Sequence, residues 1–396
     1  MKKITSIVLS IIILLINSMP ISAENKTKNG AEHESIYSNA DIELEESLGG
    51  AYLCEATTGK VLYAQNEFSA ASPASVTKVM TLLLVMEALE EGKFKLDDRV
   101  MISENAASMG GSQVFLEEGE QITVEELIKS TVIASGNDAS VALAELTAGN
   151  EKAFVKLMNK RASELGLKNT SFENTTGLDD TTTNHYSCAA DIALMSRELI
   201  KHDLILKYSS IWQDTIRNGE FTLTNTNRLV RYYDGCNGLK TGSTDKAGYC
   251  VSVTAKRGNM QLIAVITGAE TRDERNSAAR KLLDFGFANF ALFERPEEYI
   301  ENGAVLFGES DSIPIYSSEF SCVVDKSDLS KIELIYNIPE KITAPITEGQ
   351  VVGELIYKIE DNQIGESKLY AKSEVKRLTY ISVFGKILKR IVCGNF

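Results

Sequence analysis

The stretch "ASPASVTKVMTLLLVMEALEEG", residues 71–92, sets a hydroxyl, Ser75, three residues before an amine, Lys78, and follows both with an apolar run. Residues i and i+3 of a helix share a face, with Cβ atoms about 5–6 Å apart, so a helix opening near Ser75 brings the two side chains together. Pro73 suits such a start, since its fixed φ and missing N–H are tolerated in a first turn. A lysine here is either a snorkelling surface residue or a base. Apolar surroundings disfavour the ammonium and lower its pKa, and a serine hydroxyl attacks well only when a base takes its proton. A helix N-terminus would also favour developing negative charge.

S-x-x-K alone is short and common, and an arbitrary match is structural far more often than catalytic. Two further matches change its weight. Ser135-Gly136-Asn137 lies between expected helices, and Lys240-Thr241-Gly242 lies on an expected strand, followed by Ser243-Thr244. S-x-x-K, S-D-N and K-T-G together mark penicillin-binding proteins and class A β-lactamases. Here the middle residue of the second motif is Gly136 in place of Asp.

Working outward, the chain has 396 residues, 43% hydrophobic and 24% charged, enough for two or three domains at roughly 150 residues each. Lys2 and Lys3, an apolar run from Ile7 to Ile16 and small residues ending at Ala23 read as an export signal over residues 1–23. That run is short of the about 20 residues of a membrane span. Residues 24–46 are polar and read as a flexible linker. A net charge of -14 argues against nucleic acid as a partner. The six cysteines show no compact disulfide framework, and free, mostly buried thiols are expected. With three histidines and neither CxxC nor HExxH, no metal site or cofactor is expected.

Two apolar runs flanking "TTGK" predict a hairpin turned at Gly59, and "AGYCVSVTAKRGNMQLIAVITGA" a second turned around Arg257-Gly258. Between them the pattern is mostly helical, with a capping box at Thr123 and Glu126 and a C-cap at Gly166. The order of elements predicts an α/β (α+β) domain over 47–294, a sheet covered by helices with a helical lobe inserted. "RPEE" at residue 295 marks a boundary, and short alternating segments over 295–374 predict a β-rich domain. Residues 375–396 read as an amphipathic helix; between Arg377 and Phe396 it carries Arg377, Lys386, Lys389 and Arg390 and no acid, suited to an anionic membrane surface.

With these motifs in place, the chain resembles the serine-type D-alanyl-D-alanine carboxypeptidases, low-molecular-mass penicillin-binding proteins with a β-lactamase/transpeptidase-like fold. "ASPASVTKVMT", "ASGNDASVALAE", "HYSCAADIALMSREL", "GLKTGSTDKAGYC", "TRDERNSAARKLLDFGF" and "ITAPITEGQVVGEL" carry the likeness from about Gly49 to the C-terminus. The resemblance implies an enzyme on the outer face of the cell membrane, acting on peptidoglycan pentapeptides and trapped by β-lactams. It implies Ser75 as nucleophile, Lys78 as base and Ser135 as proton relay. It also implies Asn137, Lys240 and Thr241 as substrate ligands, backbone N–H groups of Ser75 and Ser243 as oxyanion donors, and Arg275 near the substrate carboxylate. A β-lactamase would need a carboxylate for the deacylating water, and no E-x-x-L-N is present.

The chain departs from the family pattern at Ser243, often His, at Asn237, often Asp, and at Ala190, usually Arg, although Asp191 remains. These departures put local salt bridges and turnover in question. Other residues have plainer readings: His185 as a loop-ordering residue, Asp138 as an N-cap, Cys236 as a small buried hydrophobe, and Arg275 equally as part of an exposed helix face.

Overall fold

The computed structural model describes residues 42, 44, 45 and 47–393, with side chains through residue 385 and that of Leu388. The expected export signal, and all but a few residues of the expected linker, lie outside the described residues.

Strands Gly50–Glu55 and Val61–Gln65 form the first hairpin, with Leu53 opposite Tyr63. Its turn is held by the buried Glu55 carboxylate, which accepts from the N–H groups of Thr57 and Thr58 at 2.9 and 2.7 Å. Gly59 supplies the left-handed backbone, with φ +74°. Strands Cys236–Thr244, Gly248–Arg257 and Met260–Ala269 complete a five-stranded antiparallel sheet. The last of these lies in the centre, between the hairpin and the other two. It is buried along nearly its whole length, which is why it reads as an unbroken apolar run rather than an alternation.

Helices cover both faces. On one, Ala278, Ala279, Leu282, Leu283 and Phe287 of helix Arg272–Asn289 pack on Leu53, Val251, Val253 and Leu262. On the other, helices Lys78–Glu90 and Ala189–Leu199 meet Ile263 and Val265. Helix Lys78–Glu90 is buried all round, from Lys78 to Met86 without a break. A helix with no solvent face shows no stripe, so its sequence is uniformly apolar. It is preceded by a 3-10 turn, Ala74–Thr77, so Ser75 stands on that tight turn instead of in the α-helix itself. Helix Val124–Val132 has the expected capping box. Asp138, read as an N-cap, is instead inside the first turn of helix Asn137–Ala148, with Gly136 at the cap. Its carboxylate reaches outward to accept the N–H groups of Val114 and Leu116 at 3.0 and 3.1 Å, pinning that loop to the helix.

After Asn289 the chain runs straight into strand Phe290–Arg295, paired with Phe320–Asp325. Pro296 therefore punctuates two strands of the β-rich part instead of opening it. Six further strands form one sheet, around a small core of Ile313, Ile315, Leu355, Tyr357 and Leu369. Phe320 stacks on Tyr357 with ring centres 4.0 Å apart. The last helix, Tyr380–Cys393, begins later than residue 375, because Val375 is buried in this core and bridged to Ile346. Tyr380, Ile381 and Phe384 on it are exposed. Among the described residues, no helix is long and apolar enough to cross a membrane.

Phe154, on helix Glu151–Glu164, is fully buried in the larger core. Phe154→Ala is expected to lower the unfolding free energy by about 3–5 kcal/mol in chemical denaturation.

Candidate active site

Three segments far apart in sequence converge. The 3-10 turn supplies Ser75, and Lys78 follows at the helix start. The Lys78 amine lies 3.0 Å from Ser75 Oγ, 2.6 Å from Asn137 Oδ1 and 3.0 Å from the Thr176 carbonyl. Asn137 is oriented by its own Nδ2, which donates to the Gly110 carbonyl at 2.7 Å. That bond leaves the amide oxygen as the atom facing Lys78. Lys240 donates to Ser135 Oγ at 2.8 Å and to the Thr241 carbonyl at 2.9 Å. The structure thus brings together Ser75, Lys78, Ser135, Asn137 and Lys240.

Close packing makes this convergence possible. A Cβ on Gly242 would fall 2.7 Å from the Ser75 nitrogen, so the strand can lie against the Ser75 turn only as glycine. Gly177, with φ +83°, is tighter still: a Cβ there would sit 1.8 Å from the Ala74 carbonyl oxygen. Ser135 and Ala74 both hold left-handed backbone, φ +64° and +45°, which costs energy for residues with a Cβ. Ser135 is itself one of the converging residues, and Ala74 directly precedes another.

Lys78 and Lys240 are each fully out of solvent. Burial, aided by the charge of Lys240, drives the Lys78 pKa well below its ordinary value. Burial and then Arg275 bring Lys240 down to about 7. A neutral Lys78 has two N–H groups and one lone pair. Asn137 Oδ1 and the Thr176 carbonyl can only accept, so they take the two hydrogens. The lone pair is left for the Ser75 hydroxyl, the arrangement a general base requires.

Thr241 directs its hydroxyl to Thr226 Oγ1 at 2.8 Å, and Ser243 is exposed one residue beyond Gly242. Arg275 is not on an exposed helix face. It is buried, and its guanidinium reaches the Cys250 carbonyl at 3.4 Å, behind the strand that carries Lys240. His185 orders its loop, with Nε2 2.8 Å from Thr77 Oγ1 and Nδ1 accepting from the Glu173 N–H. Burial lowers its pKa to about 4, so it is neutral at pH 7.

The structure gives the surroundings of two of the departures from the family pattern. Asn237 forms a neutral amide pair with Gln261 at 3.1 Å and accepts from Thr254 Oγ1 at 2.8 Å, where a carboxylate would need a cation. Asp191, beside Ala190, accepts from the Asn169 N–H and the Thr170 hydroxyl, each at 2.8 Å. Cys54, Cys188, Cys236, Cys250 and Cys322 are free thiols. Burial pushes Cys236 up to about 11, leaving it protonated. Cys393 lies outside the described side chains.

Sequence reasoning missed the carbonyls of Gly110 and Thr176 and the hydroxyl of Thr226. Backbone acceptors leave no side-chain signature. The one available sign was "NTTG", where Asn174 Oδ1 accepts from the Gly177 N–H at 2.7 Å and so turns the Thr176 carbonyl toward Lys78. Among the described residues, no cluster of side chains could hold a metal ion.

A family model described as D-alanyl-D-alanine carboxypeptidase matches residues 38–271, and one described as the C-terminal domain of penicillin-binding protein 5 matches residues 287–377. The chain is 45% identical over 348 residues to the D-alanyl-D-alanine carboxypeptidase DacF of Bacillus subtilis, covering 86% of this chain and 89% of that one. Penicillin-binding protein 5 from Haemophilus influenzae has a solved structure that superposes with TM-score 0.74 at 33% identity, over 85% of this chain and 99% of that one. Penicillin-binding protein D2 from Listeria monocytogenes, solved in its ampicillin-bound form, superposes with TM-score 0.57 at 31% identity, over 62% of this chain and 99% of that one. The likeness extends through both the sheet-and-helix domain and the β-rich one, and the chain belongs to the D-alanyl-D-alanine carboxypeptidase family of penicillin-binding proteins.

Proposed function

We propose that the enzyme removes the terminal D-alanine of peptidoglycan stem pentapeptides through an acyl-enzyme on Ser75. The observation that carries this reading is the Lys78 amine, 3.0 Å from Ser75 Oγ with only acceptors on its other two sides. Lys78 takes the Ser75 proton as Oγ attacks the carbonyl between the two D-alanines. The backbone N–H groups of Ser75 and Ser243 receive the oxyanion, where one donor is worth about 2.7–4 kcal/mol of transition-state stabilisation. Ser135, which accepts from Lys240, relays to the departing amine the proton that Lys78 took, and in the second half-reaction relays a proton from the attacking water back. Asn137 binds the substrate amide. Lys240 and Thr241, with Arg275 behind them, attract the terminal carboxylate.

A β-lactam mimics the acyl-D-Ala-D-Ala segment and acylates the same serine, in keeping with the ampicillin-bound Listeria relative. Ser75→Ala is expected to lose both labelling by a fluorescent penicillin and release of D-Ala from a defined pentapeptide. A variant that kept both activities would sink the assignment.

The two lysines need opposite charge states. Activity rises with pH as Lys78 loses its proton, and falls as Lys240 loses the charge that attracts the carboxylate. With Lys240 at about 7 in the free enzyme, kcat/KM is expected to decline above neutral pH. Lys240→Arg keeps its charge throughout this range, so in a kcat/KM profile from pH 5 to 10 its descending limb should move upward whatever the absolute rate.

We also infer export through residues 1–23 and peripheral attachment of the C-terminal helix to an anionic membrane surface. The support is a basic tail on an acidic protein, with Tyr380, Ile381 and Phe384 exposed. Deleting residues 380–396 should release the signal-cleaved protein from the membrane fraction. Retention of the deleted form would refute the attachment.

A further inference from the structure

Strand Cys236–Thr244 is the outermost strand of its sheet, and Thr244 is its last residue. It is paired on one side only, to Gly248–Arg257. Near its end one face of the strand lies against the Ser75 turn, where a Cβ on Gly242 would fall 2.7 Å from the Ser75 nitrogen and 2.9 Å from that of Val76. Repulsive contact sets how near the two segments can come, but it does not stop the strand end from drifting outward.

One side-chain atom bridges them. Asp179 Oδ2 accepts from Ser72 Oγ at 3.0 Å and from Thr244 Oγ1 at 2.6 Å. Ser72 precedes the nucleophile by three residues, and Thr244 directly follows Ser243. The same oxygen therefore holds both segments that carry the proposed oxyanion donors. The second distance is that of a charge-assisted O–H···O⁻ bond. Asp179 itself has a firm seat. Two residues earlier, Gly177 is pressed against the Ala74 carbonyl, and Asn174 Nδ2 donates to the neighbouring Leu178 carbonyl at 2.6 Å. Thr244 Oγ1 also accepts the Ala247 N–H at 3.0 Å, which fixes the turn into the next strand.

We propose that Asp179 is a positioning residue that clasps the end of the Lys240 strand to the Ser75 turn and so sets the separation of the Ser75 and Ser243 N–H groups. This rests on the reading of those groups as oxyanion donors. The clasp acts on the rate of acylation, where the oxyanion forms, and not on the affinity of the initial complex.

The test is stopped-flow acylation by a reporter penicillin, resolving the non-covalent dissociation constant from the acylation rate constant. Wild type must acylate and Ser75→Ala must not; a labelled Ser75→Ala would break the nucleophile assignment, separately from the clasp. Asp179→Ala is expected to slow acylation about ten- to a hundredfold, the scale of a small misplacement at a reacting centre, with the dissociation constant unchanged. Asp179→Asn keeps an oxygen able to accept both hydroxyls and should recover most of the loss. Ser72→Ala removes one arm and should slow acylation too, with Asp179→Ala adding little in the double variant. A wild-type rate in Asp179→Ala, a loss confined to affinity, or Asp179→Asn as slow as Asp179→Ala would each overturn the proposal. If circular dichroism shows that Asp179→Ala does not fold, Ser72→Ala alone decides, since a wild-type acylation rate in it removes the clasp.

Discussion

Everything at this site depends on one amine kept from water. A lysine in solution is an ammonium at neutral pH and has no lone pair to offer. Lys78 acquires one because the helix that starts with it is buried on all sides, so the charged form loses its hydration without gaining a carboxylate partner. Its acceptors are an amide oxygen and a backbone carbonyl, dipoles that orient the amine and stabilise its charge less than an anion would. Lys240, held against Ser135, contributes the positive charge that further discourages protonation. The apolar run after Lys78 is thus part of the chemistry as well as of the core.

The second constraint is closeness. The Ser75 turn, the Gly177 loop and the Lys240 strand approach one another at distances that leave no room for a side chain at Gly242 or Gly177. The left-handed backbone of Ala74 and Ser135 is the local cost of bringing short hydroxyl side chains to long amine ones. The larger core below absorbs that cost.

Much of this was legible in the sequence, for specific reasons. Ser75 and Lys78 are linked by helical geometry, so their spacing predicts their contact. Asn137 and Lys240 became legible only as members of a motif set, since nothing local says that residues so far apart meet. The hairpins at Gly59 and Gly258 followed from apolar runs broken by glycine. Asp138 was misread because an acid at a helix start is usually a cap, whereas here it restrains a loop that precedes it by more than twenty residues. Arg275 has two readings in the sequence, near the substrate carboxylate or on an exposed helix face, because its helix is rich in charge; in the fold it is buried, with its guanidinium at the Cys250 carbonyl. Pro296 looked like a domain edge because a proline between two strands and a proline between two domains have the same local sequence.

The order of strands has a consequence for the growing chain. Ser75 and Lys78 are made early, yet the strand that joins the first hairpin to the other two strands, Met260–Ala269, is the last of the sheet to be synthesised and occupies its centre. No partial chain ending before it can close the sheet, and such long-range pairing is the slow kind. Until then Lys78 is solvated and charged, and Ser75 is an ordinary alcohol. Reactivity therefore arises together with the finished fold, and the unfinished chain carries no activated serine.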